Sequence, residues 1–384
     1  MKITRINLHH LSIELDKSLV WAIGRATERE TLVVEITTDD GIVGWGETIN
    51  ISAFSILSDI MPLLIGKNPL ERNVIVSYLH TLFGKSNCSN GLVMCSIGAV
   101  EMALWDIAGK YYNQPIYQLL GGKIRDAVPV YASGGYPTES LNLDEFAEEM
   151  KQYKDKGFKA FKIKIGYYSI EDDMNRIKTA RMVLGWEKDI MVDGNQSYDL
   201  FTALKVGERL SAYQISWFEE PLKMDRYEQY ADFRRKSTIP VAAGENYHSY
   251  KEFHQALLNQ SLDILQPDIG NMGGLSEAIK LIPLAEYYGK KICPHTWGTP
   301  ILMAATIHFC LSIPNHTYSV IERPFYNGPV MELDCTTNPI RDLLCDHDMR
   351  IIDGMICVPS KSGLGVEVNR KYLNKFIRTS CCLD

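Results

Sequence analysis

Asp193, Glu219 and Glu245 each close a short apolar run (DIMVDG, SWFEEP, PVAAGE) and open a helix-like stretch. Carboxylates at the tips of successive parallel strands converge on one patch, and three hard oxygen donors suit a divalent cation. A single acid in such a place is ordinarily the cap of the helix that follows. Three in register point to a metal centre, because a lysine pair lies upstream and a histidine downstream. In KAFKIKI, Lys162 and Lys164 are two apart on a strand, and alternation with Phe161, Ile163 and Ile165 turns both into a barrel interior. Salt-bridged lysines at the barrel mouth are one reading. The other is that repulsion and desolvation lower one amine until it can take a proton. In KKICPH, His295 stands at a strand tip, and Asp268 ends the preceding strand in DILQPD. Neighbouring strands about 4.8 Å apart let that carboxylate reach the imidazole and fix its tautomer.

These residues need a scaffold that brings strand tips together. From about residue 128 to 322 short β-rich runs alternate with helical patterns, the mark of repeated βα units. The runs are 128–133, 159–165, 189–194, 215–220, 240–245, 263–268, 290–295 and, as the eighth, YSVIE at 318–322. Eight strands with helices between them predict an α/β fold, a (β/α)8-type barrel. A doubly wound open sheet would gather ligands at one crevice, whereas polar residues here end nearly every strand. The first hundred residues differ: ETLVVEITTDDGIVGWGET reads as two strands joined by an Asp-Asp-Gly turn, followed by a helical region. The expected division is an N-terminal α+β capping domain over 1–125, a catalytic barrel over 126–340, and a C-terminal segment, 341–384, returning to the cap.

Composition bounds the partners. A chain of 384 residues, 46% hydrophobic and 23% charged with a net charge of -7, has no basic stripe for nucleic acid. The start lacks the apolar core and cleavage site of a secretory signal, and no apolar run reads as long enough to span a bilayer, so a cytoplasmic protein without membrane contact is expected. Nine cysteines without a CxxC pair read as reduced thiols.

Taken together, the KxK pair, the acids on the third to fifth strands, and the Asp and His on the sixth and seventh resemble the enolase superfamily, within it the mandelate racemase subgroup. VDGNQSYD, WFEEP, AAGEN, QPDIGNMGGL and the C-terminal GLG carry the resemblance across essentially the whole chain. It implies one Mg2+ per subunit on Asp193, Glu219 and Glu245, with Glu220 beside them. It implies Lys164 as the base on one face of a small carboxylate substrate, tuned by Lys162, and His295 oriented by Asp268 on the other. Glu322 in SVIERPF matches the acid that hydrogen-bonds the developing enolate, and Asn195 matches a substrate-contacting position. The mechanism, a Lys or His base working with magnesium, comes with the resemblance. It leaves open dehydration of a sugar acid, ring-opening isomerisation of its lactone as in lactone cycloisomerases of the subgroup, and racemisation of a 2-hydroxy acid. A non-catalytic regulatory protein on the same fold is a further alternative. A lysine is absent from the sixth strand, where Asp268 stands, which departs from muconate-type cycloisomerases and dipeptide epimerases. Family members close the barrel mouth with cap loops; here LVWAIGRATERE, with Trp21, Arg25 and Arg29, is the candidate lid, and Ser133 and Tyr136 are candidate pocket residues. Homo-oligomers are common in the family and are expected here.

Overall fold

Parallel strands buried on both faces read as near-continuous apolar runs. In the computed structural model, which describes residues 1–84, 90–317 and 324–384, seven of the expected runs contain strands: Ala127–Gly134, Ala160–Lys164, Asp189–Asp193, Ile215–Glu219, Val241–Ala243, Ile264–Leu265 and Lys291–Ile292. Each pairs in parallel with the next. The eighth differs from expectation. The run 318–322 lies outside the described residues, and the strand that closes the barrel is Met331–Asp334, parallel to Val130–Ser133. Its other edge is joined by the Glu332 N–H, which donates to the Pro294 carbonyl at 3.1 Å. SVIE has the better β-propensity, but closure is decided by which segment can hydrogen-bond on both edges, a tertiary matter.

The interior of the barrel follows the two-residue period of strands. A buried floor gathers Tyr131, Ala160, Met191, Trp217, Ala242, Ile264, Cys293 and Val330, one from each strand in turn or, for Cys293 and Val330, from the residue next to it. Two residues further along, the same inward direction brings Ser133, Lys162, Asp193, Glu219, Gln266, His295 and Glu332, all buried. The polar layer is therefore built directly upon an apolar one. Helices cover the outside, and their starts are capped locally: Asn142, Ser169, Asp199 and Thr299 each accept a hydrogen bond from a first-turn N–H.

Over the mouth sits an antiparallel sheet of Ile3–Trp21, Gly24–Thr38 and Val43–Thr48, joined at its edge by the C-terminal strand Ile377–Leu383. The C-terminal tail divides its attachments. Its last strand enters the cap sheet, but the hairpin of Ile351–Ile352 and Met355–Cys357 pairs antiparallel with the first barrel strand, not with the cap. The helix Leu92–Tyr111 packs beneath the sheet so closely that a Cβ at Gly46 would lie 1.8 Å from the Ala99 carbonyl oxygen. Contrary to the sequence expectation, this helix of 20 residues is long and apolar enough to cross a membrane. Its apolar character has another cause: 94% of its most apolar window is buried within the protein.

Candidate active site

Asp193 and Glu219 occupy the last positions of the third and fourth barrel strands, and Glu245 lies two residues beyond the fifth. Each places a carboxylate oxygen within 4.8 Å of the other two. Burial and the neighbouring Asp193 push Glu219 up to about 8, against the pull of Lys162. Glu245 Oε2 is buried without a hydrogen bond, with His295 Nε2 3.4 Å away. Three crowded oxygen donors, one lacking a hydrogen-bonding partner, fit a hard divalent cation. Glu220, next in the chain, has a left-handed backbone with φ of 38°. Its carboxyl accepts from Asn246 Nδ2 at 2.9 Å and Gln196 Nε2 at 3.2 Å, and burial followed by Glu245 raises it well above the usual range.

Both lysines lie inside the barrel, as the alternation requires. Lys164 Nζ is 2.5 Å from Asp193 Oδ2, and Lys162 Nζ contacts Glu219, Glu332 at 2.8 Å and Asp193 at 3.6 Å. The expected lowering of an amine is not found in this state. Burial lowers both, but Asp193 at Lys164 and Glu219 at Lys162 outweigh it, and both stay raised above the ordinary lysine value. The same contacts hold Asp193 down at about 2, against its own burial.

His295 Nδ1 lies 2.6 Å from Asp268 Oδ2, which leaves Nε2 facing Glu245 at 3.4 Å and Glu332 at 3.5 Å. Burial would depress the imidazole, yet Glu245, Glu332 and Asp268 together push it up to about 10. Lys164 thus stands at the Asp193 end of the acid cluster and His295 at the Glu245 end. Glu332, missed in the sequence, is held down at about 2 despite burial by Lys162 first and His295 next. Its signal was available in VMELD, where Glu332 sits two residues after the inward Val330. Glu322 lies outside the described residues. Gln266 and Trp217 were also missed; they donate to Glu219 Oε2 at 2.6 Å and 3.1 Å.

A cavity of about 390 Å³ opens from this cluster to the cap and is lined by Lys164, Asn195, Glu245, His295, Tyr136 and Trp21 among others. Asn195 donates its N–H to Asp193 at 2.8 Å, and its Oδ1 is buried without a hydrogen-bonding partner. The segment expected to be a loop is the tip of a β-hairpin, with Trp21 paired to Gly24. Trp21 faces the cavity, whereas Arg25 does not line it and binds Glu139 at 2.9 Å. Ser133 does not line it either; it is buried, its hydroxyl without a hydrogen-bonding partner.

A closed barrel with acids at the tips of its third to fifth strands, roofed by an α+β cap, is the arrangement the enolase resemblance implies. Residues 145–372 match the enolase C-terminal domain-like family, and residues 6–121 match the mandelate racemase / muconate lactonizing enzyme N-terminal domain. The chain belongs to the mandelate racemase / muconate lactonizing enzyme family. It is 35% identical to D-galactarolactone cycloisomerase of Agrobacterium fabrum, over 98% of this chain and 99% of that protein. Among solved structures, it is similar to the 3,6-anhydro-D-galactonate cycloisomerase of Zobellia galactanivorans, with a TM-score of 0.88 and 33% identity over 99% of this chain and 100% of the other. A variant of L-talarate/galactarate dehydratase liganded with Mg and L-glucarate aligns with a TM-score of 0.86 and 25% identity, over 99% and 93% of the two chains.

Proposed function

We propose that the chain is a Mg2+-dependent lyase or isomerase that removes the proton α to the carboxylate of a sugar acid or its lactone, then expels the β-oxygen as water or as the opened ring. Asp193, Glu219 and Glu245 would hold one Mg2+ per subunit. When bound, the cation offsets the charge that grows on the substrate carboxylate as the proton leaves. Burial and Lys162 lower the Lys164 amine, Asp193 is the largest influence raising it and Tyr136 and Glu245 are lesser ones, so a cation on Asp193 and Glu245 would weaken two of the three interactions that keep it protonated. Lys164 Nζ then accepts the α-proton from its side of the pocket. Lys162 supports the charged end of the substrate, and Glu332 at 2.8 Å holds its ammonium in place. Asp268 accepts from His295 Nδ1–H, the surrounding acids favour the cationic ring that carries a second proton on Nε2, and that proton goes to the departing β-oxygen.

The observation that carries this reading is the placement of Lys164 and His295 at opposite ends of one acid cluster facing one cavity. Two groups so placed can remove a proton on one side and deliver one on the other. Incubating the protein with Mg2+ and a panel of aldonates, aldarates and lactones in deuterated water tests it by NMR. Exchange of the α-proton with loss of water or ring opening is expected, and chelation should stop it. Inversion of the α-carbon without elimination would make the protein a racemase instead. Silence across the panel with cation bound would leave a non-catalytic protein on this fold.

A further inference from the structure

Resting on the proposed function, we propose that the substrate carries a single carboxylate and that its far end, beneath the cap, is uncharged. The cavity has a barrel end, where Lys164 and His295 meet the acids, and a cap end lined by Leu19, Trp21, Ile23, Glu28, Arg29 and Glu30. A second carboxylate at the cap end would need a cation able to turn toward it. Among the described residues Arg29 is the one cation lining that end, and it is committed elsewhere. Only 5% exposed, it binds Asp334 at 3.2 Å, the Thr337 carbonyl at 3.1 Å and the Thr336 hydroxyl, with its guanidinium 4.6 Å from the centre of the Trp297 ring. Arg25 is paired with Glu139 outside the cavity.

The acids at this end are short of positive charge. Glu28 and Glu30 share one guanidinium, Arg378, at 2.9 Å and 3.4 Å. Their remaining contacts are with the Ser12 hydroxyl at 2.7 Å and His10 Nε2 at 2.8 Å. The hydrogen bond from Ser12 foremost, then Arg378, holds Glu28 below the usual carboxylate value against burial. A second carboxylate would lose water and meet like charge. Hydroxyls or a ring oxygen would not, and Trp21, Leu19 and Ile23 offer an apolar wall to the C–H face of a ring.

The test compares kcat/KM, with Mg2+ present, for aldonates and aldaric monolactones against aldarate dianions. Monoanions should be favoured by about tenfold or more, because like charges at this range in a partly buried site repel strongly. The ratio should shrink as ionic strength rises. It should shrink too in the double variant Glu28→Gln with Glu30→Gln. Equal or faster turnover of dianions overturns the proposal, as does a preference that neither salt nor the double substitution moves. If the double variant does not fold, the salt series on the unaltered protein decides. α-Proton exchange on dianions as fast as on monoanions defeats this inference alone, whereas no exchange on any compound defeats the proposed function and this inference with it.

Discussion

Two groups of acids, alike in residue type and buried except for the half-buried Glu245, differ in what surrounds them. Glu47, Glu101 and Asp106 belong to the cap unit and are covered by donors from the barrel and tail. Glu47 accepts the Thr299 and Leu302 N–H groups at 2.9 Å and 3.0 Å, and Glu101 those of Leu275 and Ser276 at 2.9 Å and 3.1 Å. Asp106 accepts Leu364 N–H at 2.9 Å and Trp45 N–H at 3.0 Å. These carboxylates are joints: Glu47 and Glu101 fix the cap onto the starts of barrel helices, and Asp106 fixes it to the tail. Asp193, Glu219 and Glu245 instead face one another across 4.8 Å or less. Burial alone does not mark a functional acid; acids crowded against one another, with one oxygen left without a donor, do.

Substitution should separate the groups sharply. Lys164→Ala and Glu219→Gln are expected to cut turnover by about a thousandfold or more, with thermal unfolding of the metal-free protein little changed. An active Glu219→Gln protein would place its carboxylate among the joints. Glu101→Ala should do the opposite. It strands the Leu275, Ser276 and Trp105 N–H groups, so denaturant titration should show a loss of about 3 kcal/mol, with turnover per folded molecule kept.

The buried histidines repeat the contrast. His295, among acids, is raised to about 10, whereas burial lowers His308 to about 4. His308 is locked neutral, since its Nδ1 accepts the Tyr117 N–H at 3.3 Å and its Nε2 donates to the Leu364 carbonyl at 3.2 Å. In the unfolded chain it takes up a proton near 6.5 that the folded protein refuses until about 4. Its contribution is therefore whole above pH 6.5 and is lost as pH falls toward 4, by up to about 3 kcal/mol. Unfolding curves across that range should show the slope, and His308→Gln should flatten it. The smallest effect is expected at Arg25→Ala. Its pair with Glu139 is exposed, so stability should shift by about 0.5 kcal/mol or less and turnover within about twofold. A large selective loss on dianionic substrates would instead put Arg25 in the binding site.

Much of this was legible in the sequence because the barrel repeats one rule. Apolar runs gave seven strands, and Asp193, Glu219 and His295 fell where the two-residue period carries the polar layer, with Glu245 one residue past that position on its strand. The rule failed where local propensity and tertiary need part. MELD is a poorer strand than SVIE, so the closing strand and Glu332 were misplaced. The cap hairpin tip, rich in charge, read as a loop because its partner strand Ile3–Trp21 has no clean alternation. The charge state of Lys164 was hidden as well, for it depends on Asp193, 29 positions and one βα unit further along the chain and adjacent only once the strands pair.

The most direct test of the account is calorimetric titration of Mg2+ into the unaltered protein, Glu219→Gln and Glu101→Gln. One Mg2+ should bind per chain in the first, at least about tenfold more weakly in Glu219→Gln, and without change in a folded Glu101→Gln. Equal affinity in the unaltered protein and Glu219→Gln would contradict the claim that the three strand-tip acids form a cation site.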